Sequence, residues 1–225
     1  MPKLVDHEER RRLIAQATWR VISRDGVRAA SVRTVAAEAG LSTGALRHYF
    51  DDHASLLLFA ARHSLELMAV RVFAYLSRAD AEPRATVQAC LEELLPLDEH
   101  RAAESAVYFG LIDHVRFLPE HTAFREVMFG QGRRLYRLLV GWLAGAPQPT
   151  PEMLTGDPSA GSAPLADPRL EVRACSLQLF IDGLAVNGLI CPGQMDRAAL
   201  RATLAGELDR LVTEVTTTGG ASVSR

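Results

Sequence analysis

The 225-residue sequence is poor in cysteine, in lysine and in long apolar runs, and each shortage removes a class of protein. Its three cysteines, Cys90, Cys175 and Cys191, are too few and too scattered for a disulfide scaffold or a zinc finger. They read as small buried hydrophobes, with thiol oxidation sensing as the alternative. Although 48 % of the residues are hydrophobic, no run reaches the roughly 18 uninterrupted apolar residues of a membrane span. The charged opening MPKLVDHEERRR also lacks the apolar stretch of a signal peptide, so a cytoplasmic protein with no membrane partner is expected. Enzyme signatures are missing as well: there is no glycine-rich phosphate loop and no G-x-S-x-G elbow. His114 and His121 are the nearest approach to a metal-ligand pair, and Pro119 lies between them. No catalytic residue, cofactor or metal is therefore expected. No alternating strand pattern competes with the helical one, and the predicted fold class is all-α.

Charge is present but unevenly placed. Only one basic residue of 25 is lysine, and the formal net charge is −2. Residues 1–50 carry nine basic against five acidic side chains, a net +4, whereas the remainder carries sixteen against twenty-two, a net −6. A basic head on an acidic body directs the head toward phosphates and keeps the body away from them. Arg10, Arg11, Arg12, Arg24 and Arg28 are candidates for nonspecific phosphate contact, with solvated surface charge as the plain alternative.

Within the head, residues 31–50, SVRTVAAEAGLSTGALRHYF, predict two short helices joined by a tight turn. Val35, Ala36, Ala39, Leu41 and Leu46 place small and medium apolar groups where two crossing helices share one core, and Gly40 supplies the left-handed turn residue. Ser31 and Ser42 are placed as N-caps. Leu46 and Phe50 would hold the second helix, leaving Thr43, Gly44, Ala45, Arg47, His48 and Tyr49 to face DNA, with Ser31, Arg33 and His53 completing the candidate contact set. Arginine can pair with a guanine edge, Thr and Ala methyls can touch a thymine methyl, and Tyr and His can hold phosphate oxygens.

A first helix is predicted over roughly 7–24, started by an Asp6/Glu9 capping box and stopped at Asp25-Gly26, with Leu13, Ala17, Val21 and Ile22 on its apolar side. Trp19 lies off that line and reads as a packing residue rather than a ligand contact. Asp51 or Asp52 can cap a long helix over about 54–77 that joins head to body, with Leu58, Ala61, Leu65, Met68, Val72 and Leu76 as its apolar positions.

At this point the sequence resembles the tetracycline-repressor family of transcriptional regulators, whose heads follow T-x-x-x-[IV]-A-x-x-A-G-[VL]-S-x-G-x-L-[YR]-x-[HY]-F-x-x-[KH]-x-x-L. Here the pattern reads Ser31, Val35-Ala36, Ala39-Gly40-Leu41-Ser42, Gly44, Leu46-Arg47, Tyr49-Phe50, His53 and Leu56, and the match covers about 7–57. The resemblance implies a double-stranded DNA operator and a small-molecule inducer as partners. Arg47 replaces the usual Tyr, and His53 replaces the usual phosphate-binding Lys.

The body predicts helices at roughly 84–95, 99–116 and 119–143, then a Pro/Gly/Ser/Ala-rich loop, 145–167, expected to be a mobile surface segment. Helices 168–190 and 196–216 follow. The first is apolar nearly all round; the second carries Leu200, Leu204, Leu208, Leu211 and Val215 as one stripe. Leu177, Ile181, Leu184, Leu200, Leu204, Leu208 and Leu211 are the expected interface of a homodimer, in which two helices from each chain form a four-helix bundle. The phrase F-I-D-G-L-A with the leucine stripe resembles the branch of the family that includes the betaine repressor. Asp182, within that phrase, reads as a capping or interchain hydrogen-bond group. Aromatics and sulfur concentrate in the middle of the body. Met68, Tyr108, Phe109, His114, Phe117, Phe124 and Met128 are candidate ligand-lining residues against a plain core reading, and the resemblance implies a pocket there.

The expectation is thus an all-α protein. A three-helix helix-turn-helix DNA-binding domain occupies 1–50, and a larger helical ligand-sensing and dimerisation domain occupies 54–218. It would act as a homodimeric repressor released from a palindromic operator by a small molecule. The alternatives are a regulator that senses thiol oxidation or answers to no ligand and, less favoured, a helical-bundle enzyme.

Overall fold

The computed structural model describes residues 2–50, 52–115, 122–155 and 164–219. Ten α-helices and one short 3-10 turn are found there: α1 Pro2–Asp25, the turn Val27–Ala29, α2 Val32–Glu38, α3 Thr43–Arg47, α4 His53–Leu76, α5 Pro83–Glu92, α6 Glu99–Val115, α7 Thr122–Leu143, α8 Pro151–Thr155, α9 Pro168–Ile190 and α10 Arg197–Gly219. The described residues contain no strand.

The chain divides into two compact units. The first comprises Met1–Met68 and Asp98–Leu118, and the second Ala69–Leu97 and Pro119–Arg225. In the first, α1 packs against α2, the 3-10 turn and α6. Ile14, Ala15, Ala17, Val21, Val35, Ala36, Leu46, Leu56, Leu57, Ala60, Val107 and Leu111 fill its core. Helix α1 differs from expectation in two ways. It begins at Pro2 instead of near residue 7, so Asp6 lies inside it and does not start it. Its inward side is set by Ile14 and Ala17, leaving Leu13 exposed at the edge. Trp19 is a packing residue: its ring stacks on His63 at 5.5 Å and meets His100 edge-on at 5.0 Å.

Helix ends are written by local chemistry. Gly26 at φ 83° ends α1, its N–H reaching Ile22 O at 2.9 Å. Asp52 caps α4 by accepting from Ser55 N at 2.8 Å, while Ser55 Oγ accepts from Asp52 N at 3.3 Å, a reciprocal capping box. Along α4 the buried residues include Leu56, Leu57, Ala60, Ala61, Val72 and Leu76. Leu58, Leu65 and Met68 are half-buried, a rotation of the face predicted from the sequence.

In the second unit, α7 packs on α9, and α10 packs on α5, α7 and α9. Two polar ties join α7 to α9 among the described residues: Arg133 Nε donates to Gln178 Oε1 at 2.6 Å, and the Arg137 guanidinium straddles Glu171 at 2.7–3.1 Å. Glu171 also accepts from Leu165 N at 3.0 Å. The Arg137 fork, aided by that backbone donor, holds the Glu171 carboxyl below the ordinary glutamate range. A depressed folded-state pKa contributes stability above the unfolded carboxylate value and loses it as pH falls through the folded one. Glu171→Gln is therefore expected to lower stability by about 1–3 kcal/mol at pH 7. Urea melts across pH should show the gap to the parent protein closing below the ordinary carboxylate range.

The expected loop at 145–167 contains α8, and its first part is anchored. Gln148 Nε2 donates to Leu76 O at 2.6 Å and to Arg78 O at 3.0 Å, capping the end of α4. Residues 156–163 lie outside the described residues.

Candidate DNA-recognition site

Helices α2 and α3 have seven and five residues, too short to persist alone, so their order comes from caps and packing. Ser31 caps α2, accepting from Thr34 N at 3.2 Å, and Ser42 caps α3, accepting from Ala45 N at 3.1 Å. Between them the chain reverses at Gly40, φ 68°, where Leu41 N bonds Ala36 O at 2.9 Å and Gly40 N bonds Ala37 O at 3.2 Å. This paired Schellman closure needs a left-handed residue that an L side chain rarely tolerates. Val35, Ala36 and Leu46 are buried between the helices as the sequence predicts.

That packing turns the rest of α3 outward. Gly44, Arg47 and His48 are exposed, while Thr43, Ala45 and Tyr49 are half-buried. Arg33, on α2, is exposed. Ser31 spends its hydroxyl on the cap and on Thr34 Oγ1 at 3.0 Å. The His53 imidazole turns inward: Nε2 lies 3.2 Å from Val27 O, tying the first residue of α4 to the 3-10 turn. In the first turn of α4, then, one ring nitrogen serves the fold.

Arg24 is likewise engaged. Together with Arg20 it clamps Glu38, Arg20 Nε at 2.7 Å and Arg24 Nη1 at 3.0 Å, and it also reaches Asp25. These donors hold the Glu38 carboxyl below its usual range and fix α1 to α2. The Arg11 guanidinium sits 5.2 Å from the Phe59 ring centre. Sequence reasoning passed over Thr34, whose hydroxyl reaches back to Ala29 O and Ser31 O and joins the 3-10 turn to α2.

Of the candidate ligand-lining set, Met68, Tyr108 and Phe109 are half-buried, and the Tyr108 and Phe109 rings meet at 5.3 Å. The side chains of His114, Phe117, Phe124 and Met128 lie outside the described residues, as does His121. Among the described residues no group of three or more His, Cys, Asp or Glu is arranged to hold a metal ion, and no helix is long and apolar enough to cross a membrane.

The expected dimer residues are buried within the single chain. Leu177, Ile181, Leu184, Leu200, Leu204, Leu208 and Leu211 are at most 6 % exposed in the single chain, because they face inward and fill the core of their own unit. The apolar residues left outside are on the opposite side of α9: Val172 at 60 %, Leu179 at 66 % and Ile190 at 72 % exposed. Asp182, beside them, is half-buried, and burial pushes its carboxyl up against the opposing pull of Arg133.

Cys90 is fully buried, and burial, with Glu93 nearby, pushes its thiol up to about 12. Only about one molecule in 10⁴ would then carry a thiolate at pH 8. Maleimide labelling of the native protein at that pH is expected to spare Cys90, while the half-buried Cys175 and Cys191 react first.

A capped, outward-facing short helix set against a second one by a tight turn defines a helix-turn-helix DNA-binding protein, here with a long helical C-terminal region. Residues 14–59 match the model for bacterial regulatory proteins of the tetR family, and residues 83–213 match the BetI-type transcriptional repressor C-terminal model. The chain belongs to the tetR family and is a transcriptional regulator. It is 32 % identical over 217 residues to the HTH-type transcriptional regulator PksA of Bacillus subtilis, spanning 96 % of each chain. It is 29 % identical over 202 residues to the regulator BetI of Burkholderia thailandensis, spanning 89 % of this chain and 93 % of that one. Among solved structures, a transcriptional regulator from Rhodococcus sp. Rha1 superposes with TM-score 0.67 at 24 % identity, over 91 % of this chain and 96 % of that one. A Saccharomonospora viridis regulator in complex with choline superposes with TM-score 0.66 at 21 % identity, over 90 % and 96 %.

Proposed function

We propose that this regulator is a homodimeric cytoplasmic repressor that binds a palindromic operator and leaves it when a small molecule occupies its C-terminal domain. The head is assigned to 1–50, and the sensing and dimerising domain to 54–218. The observation that carries the reading is the outward face of α3, where Gly44, Arg47 and His48 stand exposed on a helix held from behind by Leu46. Arg47 suits a guanine edge, while Arg33, Thr43, Ala45, His48 and Tyr49 suit flanking bases and phosphates.

One head reads only a half-site. Helical spacing puts Val172, Leu179, Val186 and Ile190 on one side of α9, and a two-fold copy of that stripe would bury it. Heads about 34–36 Å apart, or a multiple of that, then enter successive major grooves. For the ligand, the residue types at Met68, Tyr108, Phe109, His114, Phe117, Phe124 and Met128 suit an apolar lining with few polar groups. A small organic molecule is the expected class, as choline is for the Saccharomonospora protein of the same fold. Release follows from differential affinity: a ligand that prefers a conformation with different head spacing lowers DNA affinity by that preference.

The test is selection of duplexes from a random pool, followed by binding at several salt concentrations. An enriched two-fold symmetric sequence whose affinity falls steeply with salt is expected; no enrichment would end the reading. On that duplex, Arg47→Ala should cost about 1–3 kcal/mol and relax preference at one base-pair position per half-site. An equal loss on every sequence would make Arg47 a phosphate contact.

A further inference from the structure

Helix α6 falls within the BetI-type C-terminal match, yet its packing places it in the compact unit of the head, while the segments on both sides of it in sequence form the other unit. It is a piece of C-terminal sequence built into the head and continuous in both directions with the body. At its middle, Gly110 meets the 3-10 turn. A Cβ on Gly110 would stand 2.6 Å from Val27 Cγ1, 2.9 Å from Cγ2 and 3.2 Å from Cβ, so Val27 occupies the volume a side chain would take. The Val27 carbonyl faces His53 Nε2 of α4 at 3.2 Å and accepts Ala30 N at 3.2 Å. Two residues further on, Ala29 O accepts the Thr34 hydroxyl of α2. One apolar seat on α6 is therefore linked by single hydrogen bonds to the starts of both α2 and α4.

Resting on the DNA-binding reading above, we propose that Gly110 is a positioning residue for operator recognition. Its bare Cα seats Val27 and so sets the turn, α2 and α4 in the DNA-binding arrangement. Packed interiors do not deform smoothly, so a shift at this seat moves Val27 rather than being absorbed.

The full-length chain tests this, with a fluorescein-labelled duplex enriched by the wild-type protein as the anisotropy probe. Gly110→Ala is expected to weaken binding about tenfold or more while helix content and melting temperature stay near wild type, since alanine favours a helix. Adding Val27→Ala to it should restore affinity to within about threefold, and Val27→Ala alone should stay within the same range, because the effect belongs to the pair. Gly110→Ala binding within about twofold of wild type would overturn the proposal. So would a folded double variant that does not recover. If Gly110→Ala precipitates, the double variant decides: recovery of a folded, DNA-binding protein supports the seat, and precipitation or failure to bind defeats it. A wild-type protein that enriches no duplex is a distinct result, which defeats the DNA-binding reading itself and this inference with it.

Discussion

In the proposed homodimer, Leu179→Asp is expected to leave each chain folded yet yield a monomer in size-exclusion chromatography with light scattering, and to lower operator affinity about 100-fold or more. The monomer fold should survive because Leu179 is 66 % exposed and touches little of its own core. The damage would fall on the pairing of chains. Val172, Leu179 and Ile190 are exposed in the single chain; pairing of two such stripes, as proposed, would take them out of water at about 25 cal/mol per Å² buried, and a carboxylate at the centre would be buried without a partner in both copies at once. Two heads on one dimer see each other's half-site at an effective concentration that free monomers do not reach, so losing the dimer costs more than any single base contact. By contrast, an inward substitution such as Leu204→Ala should lower the melting temperature without changing the oligomeric state. A Leu179→Asp protein that remains dimeric would move the interface elsewhere.

The second large effect is expected at Leu46. Five-residue α3 has one fully buried side chain, Leu46, supported by Phe50 just beyond the helix and by the Ser42 cap. Leu46→Ala should cost about 2–5 kcal/mol of head stability, the range for a core leucine whose cavity cannot fully collapse. Because nucleation of so short a helix is unfavourable, α3 should then lose its order before the rest of the unit does. Hydrogen exchange should show Leu46, Tyr49 and Phe50 amides losing protection ahead of those in α1, and specific DNA binding should vanish while a weak, salt-sensitive residue of it persists. Uniform loss of protection across α1, α2 and α3 would mean that Leu46 supports the whole head and not α3 in particular.

The parts of this molecule readable from its sequence are those whose signals are local. Ser31, Ser42, Gly40 and Asp52 each act within a few residues of themselves, and the structure finds all four in the predicted roles. The α9–α10 region shows where such reading stops. Periodicity reveals that α9 is apolar on two sides, but both faces satisfy the same pattern, and the sequence does not label which one meets its own chain. Leu177, Ile181 and Leu184 turned out to be the inward set. On α4 so many residues are apolar that several faces fit the pattern, and only Ala61, Val72 and Leu76 of the expected face are buried. Long-range ties were invisible. Gln148 reaching the end of α4, Arg137 straddling Glu171, and Val27 filling the space at Gly110 join residues whose partners no local rule selects. The Asp6/Glu9 box had the right residues but stands inside a helix that starts earlier, at Pro2.

The division of labour inside α3 bears on how such a regulator can diverge. Leu46 and the Ser42 cap carry the helix, whereas Gly44, Arg47 and His48 are exposed to solvent. Surface substitutions away from structural features usually change stability by no more than about 0.5 kcal/mol. Codons at 47 and 48 can therefore drift with little cost to folding. After gene duplication, a copy can explore new operators one substitution at a time, remaining a soluble, well-folded protein at each intermediate.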